Sequence, residues 1–233
     1  MNAFQFTAKA NKGEILLYGP IGRDFWGEGI SAKDFADQLS ALGELSEINV
    51  RINSPGGSAF DGLAIYNTLN RHAADVVVDI DGLAASAASV VAMGGDTIRM
   101  AENALMMIHN AAGFSMGTAS EMEKTAKILR TLDTQLATTY SQRSGTGIEE
   151  IARLMEAETF FTAQEAKDKG LATDITEAKK IAAHFDPSKF SWLNKMPEGL
   201  LSVATPDCSN EQSTNTETQR SVMQQRHTIK LMR

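Results

Sequence analysis

Several residues in this chain have types and spacings that could do chemistry. Ser86 follows a strand-like segment and opens a run of small residues in "GLAASAASVVAMGG". His109 ends the apolar segment "ALMMIH", and Glu156 and Glu158 precede a short strand-like stretch in "MEAETFFTAQEA". "INSPGGSAF", residues 52–60, sets Asn, Ser, Pro and two Gly directly after the strand-like "EINVRI". A hydroxyl, an imidazole and a carboxylate are the parts of a nucleophile, its base and the group that orients the base. Backbone N–H groups at a glycine-rich turn or a helix N-terminus can hold a developing oxyanion.

Each feature also has a plainer reading. Ser-Pro-Gly-Gly suits a β-turn, where Pro presets φ at the second position and Gly supplies positive φ at the third. Ser86 serves equally well as the cap of a helix whose small side chains let it sit tightly on a sheet. A lone His at a strand end is commonly structural. The other histidines are poorer bases: His72 ends an amphipathic helix, His184 follows the last regular segment, and His227 lies in a polar stretch. A serine–histidine pair would therefore be Ser86 with His109. If "EAETFF" is extended, alternation puts Glu156 and Glu158 on one face, and nothing local chooses between them.

Composition narrows the chemistry. The chain has 233 residues, 42% apolar and 22% charged, enough for one sizeable domain and an appendage. The single cysteine, Cys208, excludes an intrachain disulfide framework, a cysteine zinc site and a thiol nucleophile in the core. There is no HExxH pair, and neither a metal nor a cofactor is expected. A net charge of −7 argues against nucleic-acid binding. No apolar run is long enough for a membrane span. The N-terminus lacks the basic-then-apolar layout of a secretory signal, so a cytoplasmic protein is expected.

The elements that must position these residues follow from periodicity. "EILLYGPI", "EINVRI", "DVVVDI", "DTIRM", "ALMMIH" and "TFF" read as strands, and the β-branched "DVVVDI" as one buried on both sides and ending at Asp81-Gly82. Helices are expected over 31–42, with Ser31 as cap, over 59–72 with Leu63, Tyr66 and Leu69 or Asn70 inward, and from Ser86 to Met93. A long helix over 119–141 carries Met122, Leu129, Leu132, Leu136 and Tyr140 at helical spacing, a stripe that suits core packing or a subunit contact. A shorter helix covers 148–156. The next has a capping box from Thr162 to Glu165 and a Gly170 stop. This alternation predicts an α/β fold with mostly parallel strands. Near Pro197 the chain becomes polar, so a domain over 1–196 and a flexible tail over 197–233 are expected.

Taken together and in order, "INSPGG", "GLAASAAS", "MMIHN" and "TFFTAQEAKDKGLAT" resemble the ClpP-like serine peptidases, the family of the Clp protease proteolytic subunit. The resemblance runs from about residue 14 to residue 176. It implies a ClpP/crotonase-like fold of repeated β-β-α units with a long handle helix at 119–141, and subunits that assemble into rings. It makes Ser86 the nucleophile and His109 the general base. Glu158 stands where the family has Asp, one methylene longer, with Glu156 a lesser candidate. The resemblance also implies oxyanion donors at the Gly56 and Ala87 N–H groups, and a peptide substrate added as a strand beside Gly57 and Ser58. "EILLYGPIGRDFWGEGISAKDF", "DGLAASAAS" and "ETFFTA" are similar to phage and prophage head-maturation proteases, which implies capsid or scaffold proteins as substrates. An ATP-driven unfoldase partner is then doubtful, and no GxxxxGK[ST] motif is present. Rival expectations are a crotonase-like acyl-CoA enzyme, a serine–lysine peptidase using Lys124 or Lys127, and a catalytically silent capsid assembly component.

Overall fold

The computed structural model describes residues 3–23 and 28–177. The expected boundary at 196/197 and the polar tail lie outside the described residues. β1 (Phe4–Lys9) and β2 (Lys12–Leu17) pair antiparallel. β3 (Glu47–Ser54), β4 (Asp75–Ala85), β5 (Thr97–Ala101) and β8 (Asp174–Thr176) continue from β2 as parallel neighbours, giving the order β1-β2-β3-β4-β5-β8. β6 (Leu105–Ile108) runs parallel to the far end of β4, and β7 (Thr159–Thr162) pairs antiparallel with β6. The helices are α1 (Ala32–Ala41), α2 (Ala59–Asn70), α3 (Ala87–Ala92), α4 (Ala119–Ser144), α5 (Ile148–Glu156) and α6 (Ala163–Asp168). The mixed α/β class follows the predicted alternation; β1 and β8 are additions to it.

The apolar core fills one side of the sheet. Ile48, Val50, Ile52, Val76, Val78, Ile80, Ile98 and Met100 are buried together with Phe35 and Leu39 of α1 and Ile65 and Leu69 of α2. α2 turns Gly62, Ile65 and Leu69 inward, leaving Leu63 and Tyr66 half-buried. The reason is at Gly62: a Cβ there would lie 3.0 Å from the Ala87 Cβ, so glycine lets α2 dock against the start of α3. α4 divides along its length. Leu132, Leu136, Ala137 and Tyr140 are buried, whereas Met122 and Ile128 in its first half are exposed. The expected capping box at Thr162 is present with Glu165, and a second joins Thr118 to Glu121; Gly145 and Gly170 adopt the left-handed conformation that ends their helices.

β4 is not buried on both sides. Val76, Val78 and Ile80 face the core, but Asp79 and Asp81 face a polar ladder that crosses the open side of the sheet. Arg99 donates to both Asp79 oxygens at 2.6 Å, and Asn49 Nδ2 donates to Asp79 Oδ2 at 2.8 Å. Arg51 Nε donates to Asp81 Oδ2 at 2.8 Å, and the Tyr18 hydroxyl joins the same oxygen. Burial pushes the Asp79 carboxyl up, but the Arg99 and Asn49 hydrogen bonds outweigh it and leave the group below the usual carboxylate range. Because the folded value is depressed, its stabilisation is present above the unfolded value and lost as pH falls through the folded one. Asp79→Asn is expected to cost about 1–3 kcal/mol at neutral pH, read from urea denaturation. The gap to wild type should narrow as pH falls below about 4.

Candidate active site

The path of β4 places Ser86. β4 pairs with β3 up to Ile52↔Ile80, and pairing resumes at Ser54↔Ala84, so the β4 side of the step holds two extra residues. Asn53 fills the step: its side-chain Oδ1 accepts the Leu83 N–H at 3.1 Å. A Cβ on Gly82 would come within 2.8 Å of that oxygen, which is why a glycine sits there. The strand therefore does not end at Asp81-Gly82. It runs on to Ala85, leaves β5 at Ile80 and takes β6 as its neighbour over Leu83–Ala85. Ser86 follows at φ 55 and ψ −126. That conformation costs a non-glycine residue on the order of 1–3 kcal/mol and is held only by its surroundings. The Ser86 N–H donates to Met107 O at 3.0 Å. Its hydroxyl makes no helix cap; it lies 2.7 Å from His109 Nε2. α3 has only six residues, so it supplies aligned N–H groups rather than a large dipole.

Strand register brings the other groups to the same point. β6 pairs with β4 as Ala85↔Met107 and with β7 as Ile108↔Thr159. His109 and Glu158 each lie one residue beyond the last pair of the second register, Ile108↔Thr159. Glu158 lies in the turn between α5 and β7 at φ 51, its N–H donating to Met155 O at 3.0 Å. Glu156 is the exposed last residue of α5. The two glutamates thus do not alternate along one extended segment, because the helix ends between them. Burial pushes the His109 imidazole below its ordinary value, while the charges of Glu158 and then Asp133 oppose that shift. A depressed value keeps the ring neutral, and able to accept a proton, at neutral pH. Lys124 and Lys127 are exposed on α4, and Ser86 is bonded to the imidazole instead.

The "INSPGG" turn lies against Ser86. Gly56 has φ +88, and a Cβ there would fall 2.4 Å from Ala85 O and 2.8 Å from both Ala87 N and Ser86 Cβ. Only glycine brings its backbone so near. In this structure the Gly56 N–H donates to Ser54 Oγ at 3.1 Å, and Ser54 Oγ in turn donates to Gly19 O at 2.6 Å. The turn is clamped to Ile21, whose N–H donates to Gly56 O at 2.9 Å and whose carbonyl accepts the Ser58 N–H at 2.8 Å. The Ser58 hydroxyl caps α2 by accepting from Asp61 N. The N–H and hydroxyl of Ser58 are therefore engaged inside the chain.

Three side chains near the site, Ser89, Tyr140 and Asp133, make polar contacts that the sequence alone does not assign. Ser89, fully buried, has its hydroxyl 2.7 Å from Ser86 O, 2.9 Å from Met107 O and 2.8 Å from the Tyr140 hydroxyl. Asp133 Oδ1 accepts the Ala111 N–H at 2.7 Å, two residues beyond His109. A second serine one turn after Ser86 and polar groups on the inward edge of the long helix were the available clues. Among the described residues no cluster of His, Cys, Asp and Glu could hold a metal, and no helix is long and apolar enough to cross a membrane.

A mostly parallel sheet that sets a serine hydroxyl 2.7 Å from an imidazole has the arrangement a serine-type hydrolase requires. The profile of the Clp protease family matches residues 6–179. The ATP-dependent Clp protease proteolytic subunit of Bacteroides fragilis is 35% identical over 139 residues, which is 59% of this chain and 67% of the relative. The protein of the same name from Pleurastrum terricola is 37% identical over 144 residues, covering 61% of this chain and 73% of the relative. Among solved structures, a point variant of ClpP1 from Listeria monocytogenes superposes with a TM-score of 0.60 at 26% identity, covering 69% of this chain and 88% of that one. The chain belongs to the Clp protease family: it has the crotonase-like ClpP fold and is a serine-type peptidase.

The electrostatics give a signed expectation. Activity that needs neutral His109 should have its acid limb below pH 6.5, the ordinary imidazole value, because burial is the largest influence on the ring. Glu158→Gln removes a charge that favours the protonated ring, so the limb should move to lower pH while turnover falls by roughly a hundredfold or more. Glu156→Gln should leave both near wild type. A pH profile of peptide hydrolysis for the three proteins is the measurement.

Proposed function

We propose that this peptidase is an endopeptidase with a Ser86–His109–Glu158 triad that processes phage capsid or scaffold proteins during head maturation. The observation that carries the triad is the 2.7 Å contact between Ser86 Oγ and His109 Nε2. His109 Nε2 accepts the Ser86 proton as Oγ attacks the scissile carbonyl. Glu158 stabilises the imidazolium so formed. The oxyanion takes hydrogen bonds from the Ala87 N–H and from the Gly56 N–H, which exchanges Ser54 Oγ for the substrate oxygen. His109 then protonates the departing amine, and water releases the acyl-enzyme by the same route. The peptide lies as an added strand beside Gly57 and Ser58, with Gly57 supplying the pairing groups, since the Ser58 N–H is held by Ile21.

The head-maturation assignment is supported by the resemblance of "EILLYGPIGRDFWGEGISAKDF", "DGLAASAAS" and "ETFFTA" to the phage and prophage enzymes. The exposed Met122 and Ile128 on the first half of α4 fit a ring-forming homo-oligomer built on that helix. The reading puts the protein in the cytoplasm with polypeptide as substrate, without cofactor, nucleic acid or membrane, and makes dependence on an ATP-driven unfoldase doubtful. The curated relatives, by contrast, carry "ATP-dependent" in their names.

A fluorophosphonate probe tests the nucleophile, and immature phage heads test the substrate. Wild type should be labelled, Ser86→Ala should not, and His109→Ala should label at least about a thousandfold more slowly. Wild type should cut a capsid or scaffold protein in the absence of ATP, and Ser86→Ala should not. An assembled wild-type protein that takes no label would overturn the triad. Cleavage that appears only with an unfoldase and ATP would overturn the head-maturation reading.

A further inference from the structure

The mechanism above uses Ser86, His109 and Glu158 but leaves unexplained two polar contacts that α4 makes immediately behind them. Asp133 and Tyr140 are seven residues apart on α4, so they share one helix face two turns apart. Asp133 reaches the segment after β6, accepting the Ala111 N–H at 2.7 Å. Tyr140, 1% exposed, reaches α3, its hydroxyl 2.8 Å from Ser89 Oγ. We infer that α4 carries a positioning residue for each half of the reacting pair: Asp133 fixes the His109 segment through Ala111, and Tyr140 fixes Ser86 through Ser89.

Hydrogen-bond inventory gives the second link a direction. Ser89 Oγ has one proton, and two carbonyl oxygens, Ser86 O and Met107 O, compete for it. The Tyr140 hydroxyl must then be the donor to Ser89 Oγ. This leaves Ser89 bound to the carbonyl of the strained residue itself and to the β6 carbonyl that also accepts the Ser86 N–H. A backbone at φ 55 persists only when its surroundings over-determine it. The Tyr140–Ser89 pair adds to that restraint from inside the core, beside the Ser89 and Val90 N–H groups that also donate to Ser86 O. Asp133 does for the base what Tyr140 does for the nucleophile, and adds a charge. The Ser86 hydroxyl is bonded to His109, and the charges of the Glu158 and Asp133 carboxylates both favour the protonated ring.

The inference rests on Ser86 and His109 being the reacting pair, and one experiment separates the two. The full-length protein is labelled with the fluorophosphonate probe across the acid limb and the plateau. Wild type is compared with D133N, D133A, Y140F, S89A and the S89A/Y140F double variant. No labelling of Ser86 in wild type sinks the pair, and the inference with it. With wild type labelled, both Asp133 variants should move the acid limb to lower pH, because each removes a charge that favours protonated His109. D133A should also lose about tenfold in plateau rate, and D133N less, since the amide oxygen still accepts from Ala111. Y140F and S89A should each lose about tenfold on the plateau without moving the limb, and the double variant no more than either alone. A merely structural Asp133 would change rate or melting temperature and leave the limb where it is. The inference is overturned if both Asp133 variants keep the wild-type limb, or if Y140F labels at the wild-type rate. Should D133A unfold at the assay temperature, D133N decides.

Discussion

A single side-chain substitution for a backbone partner, Asn53 Oδ1 accepting the Leu83 N–H, underlies the whole catalytic end of the molecule. A sheet strand that loses its neighbour normally stops, because unpaired N–H groups are costly to bury. Here the amide of Asn53 covers the gap where β3 and β4 fall out of step, and β4 survives long enough to meet β6. Without that continuation Ser86 would leave the sheet three or four residues early, and the registers that deliver His109 and Glu158 would have nothing to converge on. The Asn of "INSPGG" is thus as much part of the site's construction as the two glycines after it.

Strand capture and helix packing then act on Ser86 from opposite sides. β6 takes the Ser86 N–H, and Ser89 is hydrogen-bonded to the Ser86 carbonyl. Both peptide groups around a strained residue are therefore fixed before substrate arrives. Gly62 and Gly56 add the remaining condition, which is closeness: one lets α2 lie against α3, and the other lets a turn touch Ala85 and Ala87. Small residues around Ser86 are needed because three backbones meet there.

Much of this was legible in the sequence, and the failures have definite causes. Strand and helix alternation is a matter of period, which is why the α/β class, the Ser31 cap, the Thr162–Glu165 capping box and most element limits could be read directly. Ser86 and His109 could be paired because the topology left no better histidine. Asp81-Gly82 looked like a strand end because both are turn-forming types, and only the bulge opposite them explains why the strand continues. The run "DVVVDI" looked doubly buried because β-branching carries no information about the far face, which proved to hold arginines and carboxylates. Local sequence could not separate Glu158 from Glu156, because the helix end at Glu156 and the turn at Glu158 depend on how α5 packs. Tyr140 was visible as one more apolar position in a stripe, and nothing local showed that its hydroxyl meets a serine 51 residues away.

The polar ladder on the open face of the sheet bears on what can approach it. Arg99 with Asp79 and Arg51 with Asp81 form adjacent ion pairs, bordered by Lys12 with Glu47, around a cleft of about 460 Å³ that none of Ser86, His109 or Glu158 lines. Opposite charges set side by side cancel at a distance, so this face projects little field and does not draw charged molecules from afar. An apolar loop settling on it would have to strip water from ions already paired and would give them nothing in return. Displacing the water on this face would therefore favour a group that could itself hydrogen-bond to the paired ions over an apolar one.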